Sequence, residues 1–226
     1  MIPIRDENPT TLVPWVTVSL IAMNLLVFLF EVSLGERLQP FLALFGAVPV
    51  HPLSAEQSAG PGFPVSVNVL SSMFLHGGWL HVGGNMLYLW IFGNNIEDAM
   101  GHLRYLLFYL VSGVVAVYSH ALANSASTMP MIGASGAVSG VLGAYLVLFP
   151  RARVLTLVPM GFFLQVVRVP AIFVLGFWIM IQLLFGLFNL GAPGGGVAWF
   201  AHVGGFLTGV ALVRPLVRRD FRSLMA

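Results

Sequence analysis

Six long apolar stretches dominate the chain. They run from about Val13 to Leu34, Trp79 to Ile96, Leu103 to Ala123, Ile132 to Phe149, Val169 to Leu190 and Trp199 to Val213. A helix that crosses a hydrocarbon core of about 30 Å needs roughly 20 apolar residues, and the stretches are near that length. The pattern predicts an all-α membrane protein built as a bundle of six transmembrane helices. The first stretch is too long for a signal-peptide core and lacks a small-residue cleavage site after it, so it reads as a retained span. No internal repeat or long charge run divides the chain, and residues 1–226 are expected to form a single domain with short terminal tails.

The connections are uneven. Between the first two stretches lie about 45 residues, from Gly35 to Gly78, with an apolar run at Phe41 to Val50 and a Pro/Gly segment at Gly60 to Pro64. An apolar but proline-broken segment is expected to lie in the membrane interface rather than to span. The connections Asn124 to Met131 and Gly191 to Val197 are uncharged and rich in Ser, Gly and Pro.

Composition sharpens this picture. Of the 226 residues 58% are apolar and 8% charged, against about 25% charged in soluble domains. Too few polar atoms remain to cover a water-soluble globule. About 131 apolar residues, at roughly 20 per span, allow about six helices. A net charge of +2, with the arginines not gathered on one stripe, gives no footprint for nucleic acid. The absence of cysteine excludes disulfides, thiolate nucleophiles and Cys-ligated metals. The ten basic residues are all arginine. With both termini in the cytoplasm, nine of them (Arg5, Arg104, Arg151, Arg153, Arg168, Arg214, Arg218, Arg219 and Arg222) are cytoplasmic and only Arg37 is outside. The positive-inside rule selects that orientation.

Polar groups inside apolar spans need a reason, because each is costly when unpartnered. Ser135 lies in Gly133-Ala134-Ser135-Gly136 at the outer end of the fourth stretch, and His202 lies in Ala201-His202-Val203-Gly204-Gly205 of the sixth. His81 and Asn85, four residues apart, share one helix face in the second. At about 1.5 Å per residue, Ser135, His202 and Asn85 sit roughly 18–21 Å above the inner ends of their helices, with His81 one turn higher. All four fall at one level in the outer half of the membrane. That set suits nucleophilic acyl transfer. A serine hydroxyl needs a base to take its proton, and histidine is the usual one. The tetrahedral intermediate needs donors for its oxyanion, which the Asn85 amide, a His81 ring N–H and the Ser135 backbone N–H can supply. Ser135 also opens a helix, where the macrodipole favours an anion. Small residues at Gly136, Gly140 and Ala144 in one span and at Ala201, Gly205 and Gly209 in another allow close backbone contact.

Other polar residues have plainer readings. Ser112, Ser119 and Ser139 are expected to bond back to their own helices, and Asn24 and Gln182 to tie helices together. His76 and His120 are expected at the interface or in structural hydrogen bonds. His51 and His102 lie in connections. Glu31, near the outer end of its span, reads as an interfacial charge.

The motifs resemble a known family. Gly133-Ala134-Ser135-Gly136-Ala137 resembles the nucleophile motif of the rhomboid intramembrane serine proteases. Ala201-His202-Val203-Gly204-Gly205-Phe206-Leu207-Thr208-Gly209 resembles their A-H-x-x-G-x-x-x-G motif, and His81-Val82-Gly83-Gly84-Asn85 their H-x-x-x-N motif. Phe74-Leu75-His76-Gly77-Gly78-Trp79 and Asn95-Ile96-Glu97-Asp98 also resemble the bacterial members. The similarity covers roughly Val67 to Val213. It implies a six-helix rhomboid-like bundle in the bacterial inner membrane, with a water-filled cavity opening outward. It implies a Ser135–His202 dyad and oxyanion donors at His81, Asn85 and the Ser135 backbone, with no metal or other cofactor. It also implies substrates that are transmembrane proteins, reaching the site laterally past the fifth helix, which here carries Phe173, Phe177 and Trp178. Two features depart from some members. Ser139 stands where an aromatic packs on the catalytic histidine, and a Trp-Arg pair of the first outer loop is missing.

Rival readings fare worse. Inactive rhomboid-like proteins typically lack the Ser or the His. A channel or transporter predicts inverted repeats or broken helices, which the sequence does not show. Zinc-protease chemistry wants H-E-x-x-H, and an aspartyl mechanism wants two Asp residues within spans; neither is found.

Overall fold

The computed structural model describes residues 1–51, 65–161, 163–190 and 197–221. The Gly60 to Pro64 segment, most of the Gly191 to Val197 connection and Arg222 lie outside them. In chain order the elements are β1 (Ile2–Asp6), α1 (Trp15–Ser33), α2 (Leu38–Phe45), α3 (Val65–Ser71), α4 (Trp79–Met100), α5 (His102–Ala123), α6 (Ser135–Leu148), β2 (Arg153–Met160), β3 (Phe163–Pro170), α7 (Ala171–Phe188) and α8 (Trp199–Leu216). A helix forms in each of the six apolar stretches. Their ends differ from the expected ones by up to four residues, chiefly where α4 continues through Glu97 and Asp98 to Gly101, whose φ of 79° turns the chain into α5.

Among the described residues three helices, α1, α5 and α7, are long and apolar enough to cross a membrane. Their outer faces leave Met23, Leu26, Phe173 and Leu187 exposed, as a lipid-facing surface requires. The helices α4 and α8 have comparable length but carry more glycine and polar residues. The 14-residue α6 is about 21 Å long and buried from Gly136 to Tyr145.

The centre of the bundle is α6 packed against α8 and α5, and glycine makes this possible. A Cβ on Gly143 would strike the Phe206 carbonyl, one on Gly209 the Gly140 carbonyl, and one on Gly140 the Ser112 side chain. Backbones therefore touch where any side chain would hold them apart.

Buried acids near the C-terminal end of α4 fix α1. Pro14 gives α1 no side-chain cap. Instead the buried Glu97 accepts from Val16 N at 2.9 Å, Thr17 N at 2.8 Å and Thr17 Oγ1 at 2.7 Å. The two amides are first-turn donors with no partner inside the helix. Asp98 accepts from Thr11 N and Thr11 Oγ1 in the preceding segment.

The fold is mostly helical rather than wholly so, which corrects the all-α expectation. An antiparallel sheet of order β1-β2-β3 joins the N-terminus to the connection between α6 and α7. In β2, Val154 and Thr156 point inward at a period of two, the spacing of a half-buried strand. Tyr145 donates to Asp6 at 2.8 Å, which ties the sheet to α6, and burial pushes the Asp6 carboxyl up.

The run expected in the interface begins with the short apolar helix α2. Asn68 Nδ2 donates to Leu44 O and Gly46 O, and Ser71 Oγ to Phe45 O, so α3 holds α2 by its C-terminal end.

Candidate active site

Ser135 is the first residue of α6. The chain reaches it through Gly133, whose φ of 126° suits glycine and whose N–H donates to Ser72 O at 2.8 Å. The backbone N–H of Ser135 sits in the first turn, where helical amides lack an internal acceptor. Its hydroxyl lies 2.8 Å from His202 Nε2. The two residues come from α6 and α8, held together by the glycine contacts described above.

His81 borders the same spot. A Cβ on Gly133 would lie 2.6 Å from His81 Nε2 and 3.5 Å from Ser135 Oγ. Glycine alone lets the imidazole edge and the hydroxyl share that space. Gly77 N donates to His81 Nδ1 at 3.3 Å, so the ring proton belongs on Nε2, the nitrogen facing Gly133.

Asn85 is buried one turn along α4 from His81, and its Nδ2 lies 3.1 Å from His76 Nε2. His76 Nδ1 lies 3.2 Å from Phe74 O and can only donate to it, which leaves Nε2 to accept from the amide. Burial, with His81 nearby, pushes the His76 imidazole down to about 4; it is neutral, as that hydrogen-bond pattern needs. His76 N in turn donates to the Glu31 carboxylate at 3.1–3.2 Å. Glu31 is 1% exposed, so it is not an interfacial charge. It is a buried acceptor that anchors the loop leading into α4.

The structure thus joins Ser135 directly to His202, sets His81 beside them, and links Asn85 to His76. Two further residues belong to the arrangement. His76 orients the Asn85 amide. Gln182 of α7 places Oε1 2.6 Å from His202 Nδ1. The indoles of Trp178 and Trp199 flank the same imidazole, with ring centres at 5.8 and 6.4 Å. Ser139, in the position of the missing aromatic, donates to Ser135 O at 2.6 Å instead. The sequence signalled Gln182 only as a polar group inside an apolar span, and signalled His76 only through its neighbours in the Phe74 to Trp79 motif. Of the three serines expected to bond back, Ser119 and Ser139 do so, while Ser112 packs against Gly140 without a hydrogen-bond partner.

Comparison with known proteins agrees with the motifs. The family model of the rhomboid domain matches residues 66–219. The chain is 31% identical over 150 residues to the mitochondrial Rhomboid protein 1 of Saccharomyces cerevisiae, covering 64% of this chain and 40% of that protein. It is 37% identical over 152 residues to RHOMBOID-like protein 2 of Arabidopsis thaliana, covering 65% and 43%. It is 32% identical over 203 residues to Rhomboid protease GluP of Bacillus subtilis, covering 89% and 36%. The chain spans less than half the length of each of these relatives.

Proposed function

The chain belongs to the rhomboid family, and on that footing we propose that it is an intramembrane serine endopeptidase that cuts transmembrane proteins by a Ser135–His202 dyad. One observation carries the reading: the 2.8 Å separation of Ser135 Oγ and His202 Nε2 across two helices packed through glycine. His202 takes the hydroxyl proton as Ser135 Oγ attacks a peptide carbonyl carbon. The carbonyl oxygen becomes an anion, and the His81 Nε2–H, the Asn85 amide and the Ser135 N–H are the donors that meet it. His202 then passes its proton to the departing amine, and water releases the acyl group by the same steps in reverse.

The membrane arrangement is part of the proposal. Residues 1–226 form one domain of six spans, both termini are cytoplasmic, and the protein is of the bacterial type, in an inner membrane. In this arrangement the short α6, enclosed by its neighbours, starts below the outer surface, and Ser135 opens to water from outside.

The test is labelling of the purified protein by a fluorophosphonate probe, together with cleavage of a transmembrane substrate in proteoliposomes. The wild type should label and cleave, and Ser135→Ala should do neither while keeping its unfolding temperature. Cleavage by Ser135→Ala at close to the wild-type rate would remove Ser135 from the nucleophile's role.

A further inference from the structure

Gln182 carries the one side-chain amide on α7, a helix whose other residues are apolar or glycine. It is 6% exposed and makes a short contact to the imidazole that faces Ser135. We propose that Gln182 is a positioning residue that selects the tautomer of His202; this rests on the reading of Ser135 and His202 as nucleophile and base.

The argument is one of donors and acceptors. An amide oxygen has no proton to give, so His202 Nδ1 at 2.6 Å from Gln182 Oε1 must carry the hydrogen. A neutral imidazole has only one ring proton. Nε2 is then left with its lone pair, at 2.8 Å from the Ser135 hydroxyl, and can take the proton. With the amide turned over, Gln182 would donate to Nδ1, the ring proton would move to Nε2, and Ser135 would face a donor instead of a base. In serine proteases with a triad, a buried carboxylate holds the ring in this tautomer. Here a neutral amide does so, without the cost of a charge inside the membrane. The indoles of Trp178 and Trp199 limit rotation of the ring, but neither can accept a proton from Nδ1. Three helices, α6, α7 and α8, are therefore needed to complete the dyad.

A residue that only ties α7 to α8 would behave differently, and three substitutions separate the two roles. Gln182→Met keeps the length of the side chain and removes the acceptor. Gln182→Glu keeps the acceptor and places a carboxyl group in the membrane. Gln182→Asn keeps the amide but is one methylene too short to reach. Each is measured in proteoliposomes with a transmembrane substrate, with folding followed by thermal unfolding. The proposal expects Gln182→Met and Gln182→Asn to lose at least about tenfold in kcat, a fraction of the 10²–10⁴ that a positioned base contributes, with KM within about twofold. It expects Gln182→Glu to stay within about threefold of wild type. A tie between helices predicts the reverse order, because methionine suits an apolar core and a carboxylate does not.

A measurement on the wild type needs no variant to fold. The ¹⁵N shifts of His202 in histidine-labelled protein should report a protonated Nδ1 and a bare Nε2. A protonated Nε2, or Gln182→Met with wild-type kcat, overturns the proposal. If the wild type does not react with the fluorophosphonate probe, the serine-protease reading fails with it. If the wild type reacts and the three variants do so equally fast, only the role of Gln182 fails.

Discussion

A Cβ on Gly205 would run into the carbonyl oxygen of Gly136. Gly136 follows Ser135, and Gly205 lies three residues beyond His202. The contact that lets α6 and α8 touch is therefore next to the Ser135–His202 pair, and the spacing of those two side chains depends on it.

Gly205→Ala should consequently damage stability and chemistry together. The added methyl meets backbone, which cannot swing aside as a side-chain end can. Overpacking of this kind costs about 1–3 kcal/mol, and the separation it forces should carry Ser135 and His202 beyond hydrogen-bond reach. Cleavage is expected to fall more than tenfold, with a lower unfolding midpoint in detergent. Gly176→Ala on α7, where a Cβ meets nothing within 4 Å, is the control. It should be neutral or slightly stabilising, since glycine inside a helix costs about 0.5–1 kcal/mol relative to alanine. Equal behaviour of the two variants would contradict the close-packing argument.

His81→Ala and Asn85→Ala should slow turnover without preventing probe labelling. Removing one oxyanion donor costs about 10²–10³ in rate, softened here if the remaining donors share the load. His76→Phe should have a smaller effect of the same kind, because it frees the Asn85 amide without deleting it. Single-turnover rates for the three variants give the order. If His81→Ala and Asn85→Ala were both fully active, the oxyanion would have to be held elsewhere.

The orientation can be read with cysteines, against a background that contains none. Gln165→Cys lies on the exposed β3, and Ser125→Cys in the exposed connection before α6. In inverted and right-side-out vesicles, an impermeant maleimide should reach Gln165→Cys only from the cytoplasmic side and Ser125→Cys only from the other. The opposite result would turn the whole arrangement over, and the opening above Ser135 with it.

The helices were legible because apolar length alone announces them, and the Ser135–His202 pair was legible because a serine and a histidine stand at one depth beside small residues. The sheet was not. Its strands lie in a connection marked by arginines, and its first strand is the N-terminus, more than 140 residues from its partner in sequence. Gln182 and Glu31 show the other limit. A lone polar residue in a span reveals that it needs a partner, but not which one. Glu31 finds a backbone amide 45 residues away, and Gln182 finds an imidazole 20 residues away. Its place near the end of a span suggested solvent for Glu31, whereas the loop that leads into α4 folds back over it.

The position of Glu31 bears on whether the base needs an acid behind it. Near the C-terminal end of α1, Glu31 is the one carboxylate that sequence depth leaves as a candidate third member of a triad. Its carboxylate instead accepts from His76 N, while His202 Nδ1 is already bonded to Gln182. Removing the acid from a true triad costs about 10⁴ in rate. Glu31→Gln should therefore keep cleavage within roughly tenfold of wild type, the range of minor packing changes. Its effect should fall on stability instead. Hydrogen bonds to a charged acceptor contribute about 1.5–3 kcal/mol and neutral ones about 0.5–1.5; the remaining amide oxygen can still accept from His76 N, and the exchange removes the cost of burying a carboxylate, so a change of no more than about 1 kcal/mol is expected. Unfolding midpoints and cleavage rates of the same preparation separate the two effects. A fall of several orders of magnitude in rate, in a protein that unfolds like the wild type, would mean that His202 depends on Glu31 and that the dyad with its amide partner is incomplete.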